Sequence, residues 1–409
     1  MTPLVPDDAM LEDLRLVGDE PADKLAQALL TAHGDDVDER FLVRSVLAQL
    51  ARGETEIGDD VRTWFEQGPD LPAWADADEI ACGQAFFRRV PLPIATALFC
   101  ASLPNAYAAA HGAAVLTSGS HLVAQRRVAR RIAETGQMLF DVMDFTEEAP
   151  GSLGPGTQGY MSARGVRLLH AVIRQALLSG DARPPWPAER GVPINQEDLL
   201  GTLCTFTVTV LHGLGRLGIP YTEAEGRGYM HAWNVVGFLL GIEESLLPLT
   251  IAQAEVLADR IRRRQHQASP EGRRLTAALL EEMRLAMPPG LQPMPVALVR
   301  HLVPAETADM LAVPPCPQRW QRVVAATCAT GPHLRWAPGL RRLMMRPGGI
   351  VGRSMLRMFV DRTLHAVAAP YRLDVDALRQ ATGGGSTVRR KLRDQRRRRR
   401  GDDPRSVAP

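Results

Sequence analysis

The segment VRLLHAVIRQ, residues 166–175, places one histidine between two arginines in an apolar run. With 3.6 residues per helical turn, His170 falls on the apolar stripe of a helix. Arg167 and Arg174 lie three residues before it and four residues after it, beside the same face. Two cations next to an imidazole that faces the interior suit an anionic ligand that the imidazole also contacts. The alternative is a core histidine flanked by two arginines whose charged ends reach solvent.

Haem is one ligand that fits the first interpretation, because its iron takes an imidazole nitrogen and its propionates pair with arginines. A second group of polar residues lies upstream in RRIAETGQ, residues 130–137, where Arg131, Glu134 and Thr135 share one helical face. A guanidinium, a carboxylate and a hydroxyl at one pocket are able to transfer protons and polarise bound dioxygen. The alternative is a local Arg131–Glu134 ion pair with the threonine bonded to its own helix.

The elements that position these residues are predicted to be helices, since apolar residues recur at helical spacing and strand-like alternation is hard to find. Asn195 is the predicted N-cap of one helix, and Gly218 is its predicted end. The predicted longer helices cover residues 36–53, 92–116, 121–145, 161–179, 195–218, 222–242, 250–266 and 269–287. The sequence therefore predicts an all-α fold.

Three regions are predicted along the 409 residues. Residues 1–30 are expected to be a mobile N-terminal arm with a short helix, and residues 31–372 a single large helical domain. Residues 373–409 combine a Gly/Ser linker with a run of five arginines at 396–400, and are expected to be a disordered basic tail. The alternative for this tail is contact with an anionic lipid surface or a nucleic acid. The whole-chain charge of only +2 gives no reason to expect a specific nucleic-acid partner.

Cysteine usage and the N-terminal sequence bear on the compartment. The five cysteines show no C-x-x-C spacing, which favours reduced thiols. The first residues are acidic, without the basic and apolar regions of a secretory signal. No stretch reaches about 18 uninterrupted apolar residues, so no transmembrane helix is predicted. These features predict a cytoplasmic protein.

Five segments, in this order and spacing, resemble the family of latex-clearing proteins and the related oxygenase that trims a prenyl side chain in mycophenolic acid biosynthesis. They are SLPNAYAAAHGAAVL, RRIAETGQMLFDV, VRLLHAVIRQ, PINQEDLLGTL and YMHAWNVVGFLLGI. The resemblance covers about residues 80–310. It implies an all-helical domain with globin-like helical packing that encloses one haem b between its helices. It also implies the use of dioxygen to cleave isoprenoid C=C bonds.

The resemblance implies roles for several residues around such a haem. His170 matches the proximal iron ligand, and Arg167 and Arg174 match the arginines that flank that ligand in the family. His231 in YMHAW matches a family position expected to give structural support near the cofactor. Arg300 in VALVRHLVP matches another arginine expected near the haem.

On the distal side, Arg131 and Thr135 match family positions, and this sequence departs from the rubber enzymes between them. Those enzymes carry a lysine before the threonine that can occupy the sixth iron position, whereas this chain has Glu134. A carboxylate is a poorer ligand for ferrous haem, so the distal site is expected to be open or water-bound, with Glu134 as the acid/base group. His111 and His121 are further, weaker candidates for the pocket.

The expected function is haem b-dependent oxidation of a lipophilic small molecule by dioxygen, with C=C cleavage as the first hypothesis. Solid rubber cannot enter a cell, so the absence of an export signal favours a soluble or membrane-partitioned isoprenoid or prenylated metabolite. One alternative is haem-dependent hydroxylation, epoxidation or peroxygenation of a biosynthetic intermediate. A second alternative is a non-catalytic haem-binding or interaction module. The sequence does not predict the oligomeric state.

Overall fold

The computed structural model describes residues 5–33, 59–66, 68–118, 124–145, 147, 150–179, 185–248 and 250–330. Within these ranges the regular secondary structure is helical, and the only β-type pairing is an isolated antiparallel bridge between Ala109 and His266. The predicted all-α fold class is therefore confirmed. The predicted helix at 36–53, the tail at 373–409 and the other residues beyond 330 lie outside the described residues.

The α-helices of the described residues are numbered in chain order. They are α1 (Asp8–Leu14), α2 (Glu20–His33), α3 (Asp59–Glu66), α4 (Ala77–Arg89), α5 (Pro91–Ala97), α6 (Leu103–Ala108), α7 (Ala110–Thr117), α8 (Ala124–Val142), α9 (Gln158–Leu178), α10 (Gln196–Phe206), α11 (Val208–Arg216), α12 (Glu223–Leu239), α13 (Ile251–Gln265), α14 (Pro270–Ala286), α15 (Met294–Leu302), α16 (Ala305–Met310) and α17 (Gln318–Thr330). A π-helical turn, Leu98–Ser102, joins α5 to α6, and short 3-10 turns lie at Ala188–Arg190 and Glu244–Leu246.

Side-chain caps fix where the helices around the core begin. The Asn195 side chain accepts a hydrogen bond from the Asp198 backbone N–H at 2.9 Å, so the predicted N-cap of α10 is confirmed. Thr222 forms a capping box at the start of α12. After α11, Gly218 adopts φ +71°, which glycine accommodates without Cβ strain.

The predicted helix 195–218 is broken in the structure at Thr207, which has φ −105° and ψ −92°. The Thr207 hydroxyl donates to the carbonyl oxygen of Leu203 at 2.8 Å, one turn earlier. Such side-chain bonding competes with regular helix continuation and helps to account for the bend between α10 and α11. The predicted helix 92–116 is likewise divided, by the π turn and by an extended residue, Ala109.

The N-terminal residues differ from the predicted mobile arm. Helices α1 and α2 are docked on the domain, and Leu11, Ala22 and Ala26 have no exposed surface. Helix α2 packs against α9. The apolar residues of α1 and α2 are buried against the rest of the domain, and this burial stabilises both helices. The local sequence does not show that such a surface exists.

Close packing of α4 against α12 forms one side of the core. A Cβ added to Gly83 would lie 2.3 Å from the carbonyl oxygen of Gly228, so this crossing requires glycine. Tyr229 and Trp233 of α12 are almost completely buried beside Phe86 and Phe206. This close crossing holds Trp233 in place, and Trp233 lines a cavity between the helices.

One helical stretch of the described residues, Gln196–Arg216 with its break at Thr207, is long and apolar enough by composition to cross a membrane. A bent pair, Ala77–Arg89 with Pro91–Ala108, passes the same criterion only when both parts are joined across a 90° bend. Of the apolar window in Gln196–Arg216, 56% is buried inside the protein, as in the core helix of a globular domain.

Candidate functional site

A cavity of about 960 Å³ lies between the helices. Val166, Leu169, His170 and Ile173 of α9 line it. They are four of the five residues that helical spacing predicts on one apolar stripe, and the fifth, Leu177, does not line the cavity. The four lining residues are only partly covered by protein atoms, whereas Leu168 on the far side of the helix is completely buried. The volume is at the upper end of the range for ligand sites, about 300–1,000 Å³.

The remaining walls are mostly apolar and come from many helices. Large apolar side chains on these walls are Leu98, Phe99, Leu139, Phe140, Phe206, Trp233 and Leu240. His212 and Glu255 also line the cavity, and their side chains are 61% and 43% exposed. The cavity therefore opens towards solvent between α11 and α13.

Helix α8 packs against α9 and brings the second predicted group of polar residues to the same cavity. Arg131, Glu134 and Thr135 all line it, together with His170. The Arg131 guanidinium donates to the carbonyl oxygen of Leu116 at 2.6 Å, which ties this side chain to α7. The structure thus brings together the imidazole and the three polar residues that sequence spacing could only place on two separate helical faces.

Arg167 and Arg174 differ from the prediction, because neither lines the cavity. Arg167 makes a two-pronged ion pair with Asp19, at 2.6 and 2.7 Å. Arg174, only 1% exposed, is paired with Asp23 and also donates to backbone carbonyls in the loop before α10, at 2.9 and 2.7 Å. Both guanidinium groups bond to protein acceptors and dock α2 and its leading loop. Their pairing with a haem propionate stays a prediction.

Glycine at the end of α12 makes room for the first of these ion pairs. Gly241 has φ +94°, and a Cβ there would lie 2.4 Å from the Asp19 carboxylate and 2.8 Å from Arg167 Nε. Gln196 donates to the carbonyl oxygens of Gly18 and Gly241, at 3.2 and 2.9 Å. The start of α2 is therefore held jointly by α9, α10 and the end of α12.

Two other predicted histidines, His231 and His111, do not line the cavity. His231 Nε2 accepts a hydrogen bond from the Asp76 backbone N–H at 2.9 Å, at the start of α4, which is a structural contact. Burial lowers the pKa of His231, and the imidazole is therefore suited to accepting that bond in its neutral form. His111 contacts Arg15 at 2.7 Å instead of the cavity. His121 lies outside the described residues.

Arg300 also differs from its predicted place near the cofactor. Its guanidinium contacts Asp309 at 2.6 Å and the carbonyl oxygen of Pro314 at 3.3 Å, and it donates to the Val313 carbonyl as well. It does not line the cavity. Arg300 instead fastens α15 to α16 and to the turn that follows it, because Asp309 of α16 offers a carboxylate and the turn offers two carbonyl oxygens.

Sequence reasoning missed the polar side of the cavity, where Asn105, Glu197, Asp198, Gln265 and His266 lie. Burial, and next the charge of Glu197, raise the pKa of Asp198 to about 7. Burial, and next the charge of Arg262, lower the pKa of His266 to about 4. The segment NQED contains both acids, but acidic residues after an N-cap are common to most helix starts. The sequence pattern therefore predicted only a helix start and not a cavity wall.

Several features of the cavity suit a haem. It offers one imidazole on an apolar wall, a volume in the range of a large ligand, and a guanidinium from Arg131. Among the described residues, no group of three or more His, Cys, Asp or Glu side chains is arranged to hold a metal ion. A haem needs only an axial ligand from the protein, because the porphyrin supplies the other iron ligands, so His170 and this cavity suit the group.

Comparison with known proteins gives one family and two relatives. A sequence model of the family described as "ER-bound oxygenase mpaB/B'/Rubber oxygenase, catalytic domain" matches residues 88–333. The rubber oxygenase of Streptomyces sp. (strain K30) is 24% identical over 316 residues, which cover 74% of this chain and 72% of that protein. The solved structure of latex clearing protein LCP in the closed state is similar with a TM-score of 0.65 and 22% identity. That match covers 85% of this chain and 91% of the other, and it supports the fold.

Proposed function

The chain belongs to the mpaB/rubber oxygenase family, and we propose that it is a haem b-dependent oxygenase that uses dioxygen to cleave a C=C bond of an isoprenoid or prenylated small molecule. The observation that carries this proposal is the shared cavity of His170, Arg131, Glu134 and Thr135. The resemblance to the family implies a proximal role for His170 and distal positions for Arg131 and Thr135, with Glu134 between them. Their meeting in one mostly apolar cavity supports a common role in dioxygen chemistry.

His170 holds the haem iron in this proposal, through one imidazole nitrogen. When bound, the haem supplies the activation of dioxygen, while the protein supplies ligation, orientation and a dry pocket. The apolar residues of α9 and the facing helices exclude water and hold the hydrocarbon part of the substrate. Arg131 places a positive charge at the cavity wall, where it stabilises a carboxylate or a negative charge that develops during the reaction.

Glu134 is assigned the proton transfer. Its carboxylate oxygen accepts a proton from the substrate, or its carboxyl group returns one to the oxygen that is being transferred. Thr135, the next residue on the same face, donates a hydrogen bond through its hydroxyl. Arg167 and Arg174 are positioning residues here: their ion pairs with Asp19 and Asp23 fix the rotation of α9, and with it the direction of the His170 ring.

The lining supports the proposed substrate class. The apolar walls suit a lipophilic chain, as the family relationship also suggests. Hydroxylation, epoxidation or peroxygenation of the same chain is the alternative outcome, and product analysis separates them. Cleavage gives two carbonyl fragments, whereas the alternatives leave the carbon skeleton intact. The cytoplasmic location expected from the sequence stays a prediction.

The deciding experiment is the absorption spectrum of the purified wild type beside His170→Ala. We expect a Soret band in the wild type and its loss in the variant, with helical circular dichroism preserved. His231→Ala is the matched control: it removes a histidine from outside the cavity and should leave the Soret band unchanged. A protein without a Soret band after haem reconstitution, or a His170→Ala variant with full haem content, would overturn the proposal.

A further inference from the structure

Five polar residues line one side of the cavity and are here called the polar band: Asn105, Glu197, Asp198, Gln265 and His266. Gln265 donates to a Glu197 oxygen at 2.6 Å, and the next residue, His266, has the backbone of Asn105 beside its imidazole. Asp198 follows Glu197 in the first turn of α10. The band therefore joins α6, the start of α10 and the end of α13 at one side of an otherwise apolar cavity.

The two carboxylates of the polar band are treated differently by the protein. Glu197 is completely buried but well compensated, since Arg264 donates to it at 2.8 Å and Arg15 lies 4.0 Å away. Asp198 has no ion pair with any described residue. Its only compensation is the backbone around Ile194 and Asn195 and the weak field of Arg15, and burial raises its pKa to about 7. Any negative charge placed next to it would add repulsion.

His266 is the complementary member of the polar band. Its Nδ1 atom is buried and has no hydrogen-bond partner among the described residues. Burial lowers its pKa to about 4, so the imidazole is neutral at physiological pH. A buried polar atom without a partner costs about 1–3 kcal/mol. A ligand group that both donates and accepts a hydrogen bond would satisfy it.

We propose that the polar band binds a neutral hydroxyl group, so that the substrate is a discrete isoprenoid alcohol or phenol, rather than a plain hydrocarbon or an anionic isoprenoid. A hydroxyl is able to donate to Asp198 and to accept from or donate to His266. A hydrocarbon leaves the band unpaired. A carboxylate or diphosphate meets the charge of Asp198, while Arg262, the cation beside His266 on the cavity wall, is already paired with Asp259. This inference rests on the proposed function for the identity of the chemistry, but it concerns substrate binding alone.

The test uses three ligands that share one isoprenoid skeleton and differ at one end: farnesol, farnesene and farnesoate. Dissociation constants for the haem-loaded full-length protein are measured by titration calorimetry at pH 8. We expect farnesol to bind at least about tenfold more tightly than either analogue, which corresponds to about 1.4 kcal/mol. Equal affinities, or tightest binding of farnesoate, would overturn the inference without any variant being made.

Variants then assign the preference to residues. Asp198→Asn should strengthen farnesoate binding about tenfold and change farnesol binding much less, because it removes the uncompensated charge and keeps a polar side chain. His266→Phe should weaken farnesol binding and leave farnesene binding unchanged. Glu281→Gln is the matched control, since it removes a surface carboxylate that does not line the cavity. A farnesoate affinity unchanged by Asp198→Asn would contradict the role given to that residue.

Failure of this inference is distinguishable from failure of the proposed function. A normal Soret band with no preference for farnesol would remove the polar band as a recognition site and leave the haem proposal standing. A preference for farnesol in protein that never acquires a Soret band would do the reverse. Product analysis is not needed for either result.

Discussion

The two sides of helix α9 carry out different tasks with residues only three or four positions apart. One side presents Val166, His170 and Ile173 to the cavity. The other side presents Arg167 and Arg174 to Asp19 and Asp23. At about 100° per residue, positions i−3 and i+4 are rotated by only about 40–60° from the histidine. That rotation is enough to turn both guanidinium groups away from the cavity and towards α2.

The comparison teaches that a flanking arginine goes to the carboxylate that the fold brings closest. Burying a guanidinium without a partner is costly, so a docked acid settles its direction even when a ligand pocket lies nearby. The cavity side should therefore control cofactor binding and turnover, and the arginine side should control stability.

The largest effect is expected on the cavity side. Glu134→Gln keeps the shape of the side chain and removes the carboxylate, so turnover should fall by roughly 10²–10⁴-fold, as is typical for loss of a general acid/base. Haem content, measured by the Soret band, and the unfolding free energy should remain close to wild type. Full activity in this variant would place the proton transfer on another residue, and Asp198 would be tested next.

On the arginine side, Arg174→Ala should lower the unfolding free energy by about 3–5 kcal/mol, because the Asp23 carboxylate loses its buried partner. Urea unfolding measures this loss. Asp23→Ala and the double variant complete a cycle, and a coupling energy near zero would contradict the ion pair. At low temperature, the folded fraction of Arg174→Ala should still bind haem. Loss of haem from fully folded protein would return this arginine to the cofactor site.

Local sequence patterns predicted the parts of the molecule that depend on one helix at a time. The α9 stripe, the shared face of Arg131, Glu134 and Thr135, and the Asn195 cap follow from helical periodicity or capping chemistry, and the structure places them as expected. Periodicity needs no knowledge of the neighbouring helices, which is why it succeeds here.

Contacts between distant parts of the chain were not predictable in this way. Asp19 precedes Arg167 by 148 residues, and nothing in either segment identifies the partner. Similarly, Glu197 and Asp198 look alike as acids in a first turn. Only the position of Arg264 on α13 decides that the first is neutralised and the second is left without an ion pair among the described residues. Tertiary packing, and not local preference, thus sets the polar side of the cavity.

Asp198→Asn should change the pH dependence of stability. The pKa of Asp198 in the folded protein is raised from its ordinary value of 3.8 to about 7. Between these values the folded state keeps the proton and the unfolded state releases it, so the wild type loses stability as the pH rises from about 4 to about 7. The amide side chain of the variant has no proton to release in this window. The unfolding free energy of the variant should therefore rise relative to that of the wild type, by about 1–3 kcal/mol at the upper end. Urea unfolding at pH 5 and pH 8 measures the difference. A constant difference would contradict a raised pKa.

The smallest effect is expected for Arg300→Ala, which tests whether the boundary of the cavity is drawn correctly. Arg300 is partly exposed and bonds to Asp309 and to two backbone carbonyls between α16 and α17. Because the net contribution of each such bond is small, the unfolding free energy should fall by only about 1 kcal/mol. The Soret band, the haem affinity and the turnover should all stay at wild-type values, since the side chain does not line the cavity. A shifted Soret band with unchanged stability would mean that Arg300 reaches the cofactor after all. The division between residues that bind the cofactor and residues that hold the helices together would then hold at α9 but fail at α15.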